Sequence, residues 1–109
     1  MIAVIYARFS SELQRDASIE DQIRICRARI EREGWTYLHA YTDRAISGAS
    51  ALRPAYQSLL EDARRGQFEV VVAKALDRLS RDQEDIAGLH KRLRFAGIRL
   101  VTLAEGEIT

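Results

Sequence analysis

Apolar and polar positions along this chain switch between two periods. It opens on an apolar run, "MIAVI", followed at once by "YARFSS" at residues 6 to 11. Three later junctions share one pattern: "EREGWTYLHAY", "ARRGQFEVVVA" and "RFAGIRLVTLA". Each is a charged or helical stretch, a glycine, then a short strand. Gly34, Gly66 and Gly97 fit helix C-caps, where a left-handed residue is needed. The segments before them carry helical stripes: Ile19, Ile23, Cys26 and Ile30; Tyr56, Leu59, Leu60 and Ala63; Ile86, Leu89, Leu93 and Ala96. "VVVA" is apolar on both faces, as a parallel strand covered by helices should be. Trp35, Phe68 and Phe95 are available for packing.

The predicted order is β-α-β-α-β-α-β. That alternation predicts a three-layer α/β/α domain spanning residues 1 to 109. Its sheet is mainly parallel, of four or five strands, with right-handed crossovers. Ligands of such sheets bind at the carboxyl ends of the strands. Ser10, Asp43 and Asp77 are each expected just past a strand end. Residues 10 to 17 and 43 to 53 read as long loops, which in compact domains are usually functional. No linker, repeat or low-complexity segment interrupts the pattern.

Composition narrows the class. At 109 residues the chain can bury one real core without staples. A single cysteine, Cys26, excludes an internal disulfide framework and a CxxC metal site. On its helical stripe it reads as an inert core thiol. No apolar stretch is long enough to span a membrane and no secretory signal is visible, so a soluble, cytoplasmic domain is expected. The formal net charge is +1, low for a domain that grips DNA alone. Arginine greatly outnumbers lysine, and arginine suits bidentate phosphate contacts. Many arginines, as in "RARIERE", are simply the solvated face of a helix.

Two stretches carry candidate chemistry. In "YARFSS", strand alternation sends Tyr6, Arg8 and Ser10 the same way. This is either a solvated strand end or a nucleophile beside an anion clamp. In "LDRLSRD", residues 76 to 82, Asp82 can N-cap the helix that follows, with Asp85 at the capping-box position. Capping does not account for Asp77, Arg78 and Arg81. Gathered at one end of the sheet, Arg8, Arg78, Arg81 and Ser10 could stabilise the charge that builds on a phosphodiester under attack. Serine could hold the phosphoryl group covalently. His39 and His90 lack ligand spacing, and no metal site is expected. GxxxxGK[ST], GxGxxG and GxSxG are all absent.

At these residues, and over its whole length, the chain resembles the catalytic domain of the serine recombinases, the resolvase/invertase family. "YARFSS" is similar to the nucleophile motif, and "LDRLSRD" to the second arginine motif. "SIEDQIR" is similar to the start of the first helix, and "TDRAISG" and "LRPAY" to the following loop and second helix. The resemblance implies catalytic roles for Ser10, Arg8, Arg78, Arg81 and Asp77. It implies active-site or DNA-phosphate support from Tyr6, Gln22, Asp43, Ser47 and Arg53. The longer stretch between Ser10 and "SIEDQ", with "CRARIEREGW", is similar to the large serine recombinases such as phage integrases and transposon recombinases. The implied reaction is attack of Ser10 on a DNA phosphodiester, a 5′-phosphoserine link, strand exchange and religation, with no cofactor. The implied partners are double-stranded recombination sites and copies of the same protein, as dimer and tetramer, and no membrane. Near "EGEIT", where this chain stops, the family continues into a long interface helix and DNA-binding domains.

Three other readings compete. A phosphatase-like or phosphotransfer enzyme on a small phosphate ester would use the same serine and arginines but close a small-molecule pocket. A non-catalytic regulatory module with a response-regulator-like sheet would rely on Asp43 and Asp77, yet no acidic cluster follows strand one. An inactive recombinase relative would not need Ser10 and all three arginines intact.

Overall fold

A computed structural model describes residues 1–9, 16–44, 53–79 and 83–109. The elements are β1 (Ile2–Phe9), α1 (Asp16–Arg32), β2 (Thr36–Arg44), α2 (Pro54–Arg64), β3 (Val70–Ala73), α3 (Leu76–Leu79), α4 (Gln83–Phe95), β4 (Arg99–Thr102) and β5 (Gly106–Glu107). One sheet of order β2-β1-β3-β4-β5 holds them together. The first four strands run parallel, and β5 pairs antiparallel with β4.

The helices divide between the two faces, so the α/β/α expectation holds. On one face Cys26 and Ile30 of α1 bury Ala3, Ile5, Val70, Val72 and Val101. On the other, Leu59 and Ala63 of α2, Leu79 of α3, and Leu89 and Leu93 of α4 bury Val4, Tyr6, Val71, Ala73 and Leu100. All four residues of β3 are buried, as a strand covered on both faces requires. Gly34, Gly66 and Gly97 have φ of 76°, 71° and 77°, the left-handed geometry in which helices end.

Five expectations need correction. Phe95 is not core: it is 96% exposed, because it lies off the Leu89–Leu93 stripe at the end of α4. Ala96 lies past the end of α4 and is exposed as well. The predicted loops are shorter, since α1 begins at Asp16 and β2 runs on to Arg44. Asp43 is therefore inside a strand, paired across with Arg8, rather than past its end. "LDRL" forms an additional one-turn helix, α3, before α4 starts at Gln83.

The face on which Asp43 sits is set by an irregularity. The β1–β2 register shifts between Ala3 and Val4, whose partners are Tyr37 and His39. Leu38 is the extra residue, and it is 53% exposed. Strict alternation would put residues 37, 39, 41 and 43 on one face. With the bulge, Tyr37 and Ala40 pack on the α1 side while Tyr41 packs on the α2 side. Asp43 follows Tyr41 to that side, beside Tyr6 and the start of α2.

Candidate active site

The order β2-β1-β3-β4 reverses direction between β1 and β3. The chain leaves β1 toward one edge of the sheet and leaves β3 toward the other. A crevice opens at the carboxyl ends of such a strand pair, and open α/β sheets bind ligands there. Arg8 lies at the end of β1, and Asp77 and Arg78 follow β3.

Arg8 and α3 lock to one another. The Arg8 guanidinium donates from Nε to the Arg78 carbonyl at 3.1 Å and from Nη2 to the Asp77 carbonyl at 2.9 Å. Arg78 donates in return from Nη1 to the Arg8 carbonyl at 3.2 Å. A cation on the carbonyls at the end of a helical turn is favourable, which helps hold a turn too short to stand alone. At its other end the Leu76 N–H donates to Glu105 Oε1 at 3.0 Å, and the Thr102 hydroxyl donates to the same oxygen at 2.7 Å. The Nε of Arg78 is buried without a hydrogen-bond partner among the described residues. The Asp77 carboxylate oxygen Oδ1 is 3.9 Å away, too long for a hydrogen bond. The Asp77 side chain is largely exposed, and its backbone carbonyl, not its carboxylate, meets Arg8.

Gln22 completes the end of β1. β3 stops at Ala73, opposite Tyr6, so it does not extend as far as Arg8. The Gln22 carboxamide takes the place of a strand neighbour. Its Oε1 accepts from the Arg8 N–H at 3.2 Å and its Nε2 donates to the Arg8 carbonyl at 3.1 Å. Gln22 is only 2% exposed, so an apolar residue there would leave both backbone groups without this partner.

Asp43 organises a second cluster. It is 6% exposed and, among the described residues, accepts three hydrogen bonds: from the Tyr6 hydroxyl at 2.7 Å and from the Ala55 and Tyr56 N–H groups at 3.0 Å each. The last two are free donors of the first turn of α2, so a strand residue does the work of a cap. The N-cap residue itself, Arg53, makes no side-chain cap. It has φ 45° and ψ 63°, a left-handed conformation uncommon outside glycine, with a cost on the order of 1–3 kcal/mol. From there its guanidinium donates to the Tyr6 hydroxyl oxygen from Nη2 at 3.1 Å and from Nε at 3.3 Å. Burial, then the bond to Asp43, push the Tyr6 phenol well above its usual range, with Arg53 partly offsetting them. Tyr6 stays a neutral donor to Asp43 and acceptor from Arg53.

Of the residues singled out in the sequence, Tyr6, Arg8, Gln22, Asp43, Arg53, Asp77 and Arg78 thus gather at the carboxyl ends of β1, β2 and β3. Ser10, Ser47, Arg81 and the proposed cap Asp82 lie outside the described residues. Sequence reasoning missed Tyr56, Thr102 and Glu105. One signal existed for the α2 cluster: "RP" opens the helix where a Ser, Thr, Asp or Asn cap would be usual, so the cap had to come from elsewhere. His39, on the edge strand β2, is exposed, with its ring 4.6 Å from that of Tyr41. Among the described residues no helix is long and apolar enough to cross a membrane.

Residues 3–109 match the family described as Resolvase, N terminal domain. The chain is 37% identical over 103 residues to a Bacillus subtilis (strain 168) protein named as a candidate DNA recombinase, covering 93% of this chain and 20% of that protein. It is 38% identical over 66 residues to the transposon Tn501 resolvase of Pseudomonas aeruginosa, covering 61% and 34%. Among solved structures, the N-terminal catalytic domain of TP901-1 integrase is similar at TM-score 0.86 and 34% identity, covering 97% of this chain and 80% of that one. A resolvase family site-specific recombinase from Streptococcus pneumoniae shares the fold at TM-score 0.84 and 21% identity, covering 97% and 74%. The chain spans between 20% and 34% of the length of these curated relatives.

Proposed function

This chain belongs to the Resolvase N-terminal domain family, and from that membership we propose that it is the catalytic domain of a longer serine site-specific DNA recombinase. Its substrate is a phosphodiester of a double-stranded recombination site. Ser10 Oγ attacks the phosphorus, the bond to the 3′ oxygen breaks, and the 5′ phosphate stays on the serine. The proton lost by Ser10 ends on the departing 3′ oxygen. Reversal by a 3′ hydroxyl of another strand reseals the DNA. One phosphodiester replaces another, so the cycle needs no nucleotide hydrolysis.

The observation that carries this reading is the interlock of Arg8 and Arg78 at the ends of β1 and β3. Attack on a phosphodiester builds negative charge on the phosphoryl oxygens. Guanidinium groups already fixed in place stabilise that charge with little reorganisation. The buried Nε of Arg78, without a partner among the described residues, is a donor kept at the cost of its own desolvation, which suits a site that awaits an anion. Arg81 and Arg53 add charge, while Asp77, Gln22, Tyr6, Asp43 and Ser47 hold or support this set. A net charge of +1 leaves sequence readout and most of the grip to other domains of a dimer that pairs into a tetramer on DNA.

The test is cleavage of site DNA by the full protein, read on a denaturing gel. The expected product is protein joined to 5′ ends with free 3′ hydroxyls, absent in Ser10→Ala although site binding persists. An undiminished adduct in Ser10→Ala would overturn the assignment.

A further inference from the structure

We infer that Tyr56 is a positioning residue for Arg53: its ring forms the wall that holds the Arg53 guanidinium at the carboxyl end of β1. The inference deepens the recombinase reading and rests on it for the use to which Arg53 is put. Three observations converge. The guanidinium carbon of Arg53 lies 3.9 Å from the centre of the Tyr56 ring, close to stacking contact, and 5.4 Å from that of Tyr6. The two rings meet edge to face, with centres 5.7 Å apart and planes at 69°, forming a corner around the cation. Arg53 also sits where neither backbone nor field favours it. Its φ of 45° is left-handed, and its charge lies at the amino end of α2, where the helix dipole repels cations. A side chain placed against both preferences is held by its surroundings, and such placements concentrate at functional sites.

The two tyrosines divide the work. Tyr6 takes two guanidinium donors on its hydroxyl oxygen, and that hydroxyl is fixed by Asp43. These bonds set one edge of the guanidinium plane but do not stop the group from rotating away from the protein. The Tyr56 ring covers its face and removes that freedom. The Tyr56 backbone is itself tied to Asp43, so ring and phenol are referenced to the same carboxylate. An arginine has five N–H donors, and this contact occupies only Nε and one Nη. The same corner fixes the plane of the guanidinium and, with it, the remaining Nη donors. The aromatic face is what matters here, not the Tyr56 hydroxyl, so phenylalanine should serve and an aliphatic side chain should not.

The experiment combines Tyr56→Phe, Tyr56→Leu, Arg53→Ala and the Arg53→Ala/Tyr56→Leu double variant. Covalent adduct formation is timed in the full protein at saturating site DNA. Hydrogen exchange of the Arg53 Nε–H is followed by NMR in the 109-residue chain. Tyr56→Phe should match wild type in both. Tyr56→Leu should bind DNA normally, form adduct about tenfold more slowly, as expected for loss of a partly buried cation–π contact, and exchange the Arg53 proton faster. In the Arg53→Ala background the leucine should add no further loss, since Tyr56 acts through Arg53. If Tyr56→Leu does not fold, Tyr56→Met replaces it with the same expectations. The proposal is overturned if leucine or methionine leaves Arg53 exchange unchanged, if phenylalanine fails as badly as leucine, or if the two losses add. If wild type forms no adduct at all, the recombinase reading fails, while the exchange measurement still decides whether Tyr56 holds Arg53.

Discussion

Replacing Asp43 with asparagine should be far more damaging than its near-identical shape suggests. Asp43 Oδ1 accepts from the Ala55 N–H, and Oδ2 accepts from both the Tyr56 N–H and the Tyr6 hydroxyl. An asparagine has one acceptor oxygen, so in either orientation its NH2 faces at least one N–H of α2. The better orientation keeps the oxygen toward Tyr6 and Tyr56 and sets donor against donor at Ala55. Bonds to a charged group contribute about 1.5–3 kcal/mol each, and a buried donor left without a partner costs about 1–3 kcal/mol. Loss of a carboxylate from the amino end of α2 removes roughly another 0.5–1 kcal/mol. Relief of the buried charge offsets part of this, leaving a net loss of about 2–4 kcal/mol. With a urea slope of roughly 1.5 kcal/mol/M for a domain this size, the unfolding midpoint should fall by about 2 M. Asp62→Asn is the control. Among the described residues the Asp62 carboxylate accepts only from the Tyr41 hydroxyl, at 2.6 Å, and an amide oxygen can accept that bond too. Its midpoint should move by less than about 0.7 M. Equal shifts for the two variants would refute the view that Asp43 caps α2 and anchors Tyr6.

Further outcomes follow from the same contacts. Arg8→Ala and Arg78→Ala should each slow DNA cleavage by about a hundredfold or more, with poor rescue by lysine, which cannot make the paired bonds of Arg8 to two carbonyls; near-normal cleavage in both would reduce the interlock to a structural contact. Gln22→Leu should destabilise the domain by roughly 2 kcal/mol, because the Arg8 N–H loses its Gln22 acceptor and the Arg8 carbonyl keeps only the bond from Arg78, and denaturant unfolding checks it. Burial pushes the Cys26 thiol up from 9.0 to about 12. The folded chain therefore keeps a proton that the unfolded chain gives up, so this contribution to stability is complete below about pH 9 and is lost as pH rises toward about 12. Cys26→Ala should lose stability less steeply than wild type over that window in pH-dependent urea titrations, and parallel curves would contradict the assignment.

The layer arrangement was readable because the relevant periods are long and local. The stripe of Ile19, Cys26 and Ile30 announces α1, and "VVVA" announces a strand covered on both faces. The placement of Arg8, Asp77 and Arg78 at one end of the sheet followed from those elements. What escaped depended on pairing between distant segments. The bulge at Leu38 decides which face Asp43 occupies, and nothing local in "TYLHAY" marks it, since one extra residue changes the parity of everything after it. α3 has four residues and exists through Arg8 at one end and Glu105 at the other, 69 and 29 residues away in sequence. Hydrophobicity alone makes Phe95 available for packing, although its angular position relative to Leu89 and Leu93 puts it off the buried stripe. Tyr56 was seen only as a member of the α2 stripe, because its second role depends on the left-handed turn at Arg53.

The central claim is that the hydroxyl of Ser10, next in sequence to β1 and to the arginine interlock, is the nucleophile. It is tested most directly by mapping the covalent link. The full protein is trapped on site DNA, the DNA is digested to a short residual nucleotide, and the tryptic peptide "FSSELQR", residues 9 to 15, is fragmented in a mass spectrometer. That peptide holds two adjacent serines, so the fragments must separate them. The added mass is predicted on Ser10 through a 5′ phosphate. A label on Ser11, a label on another peptide, or a 3′-phosphate link would contradict the account.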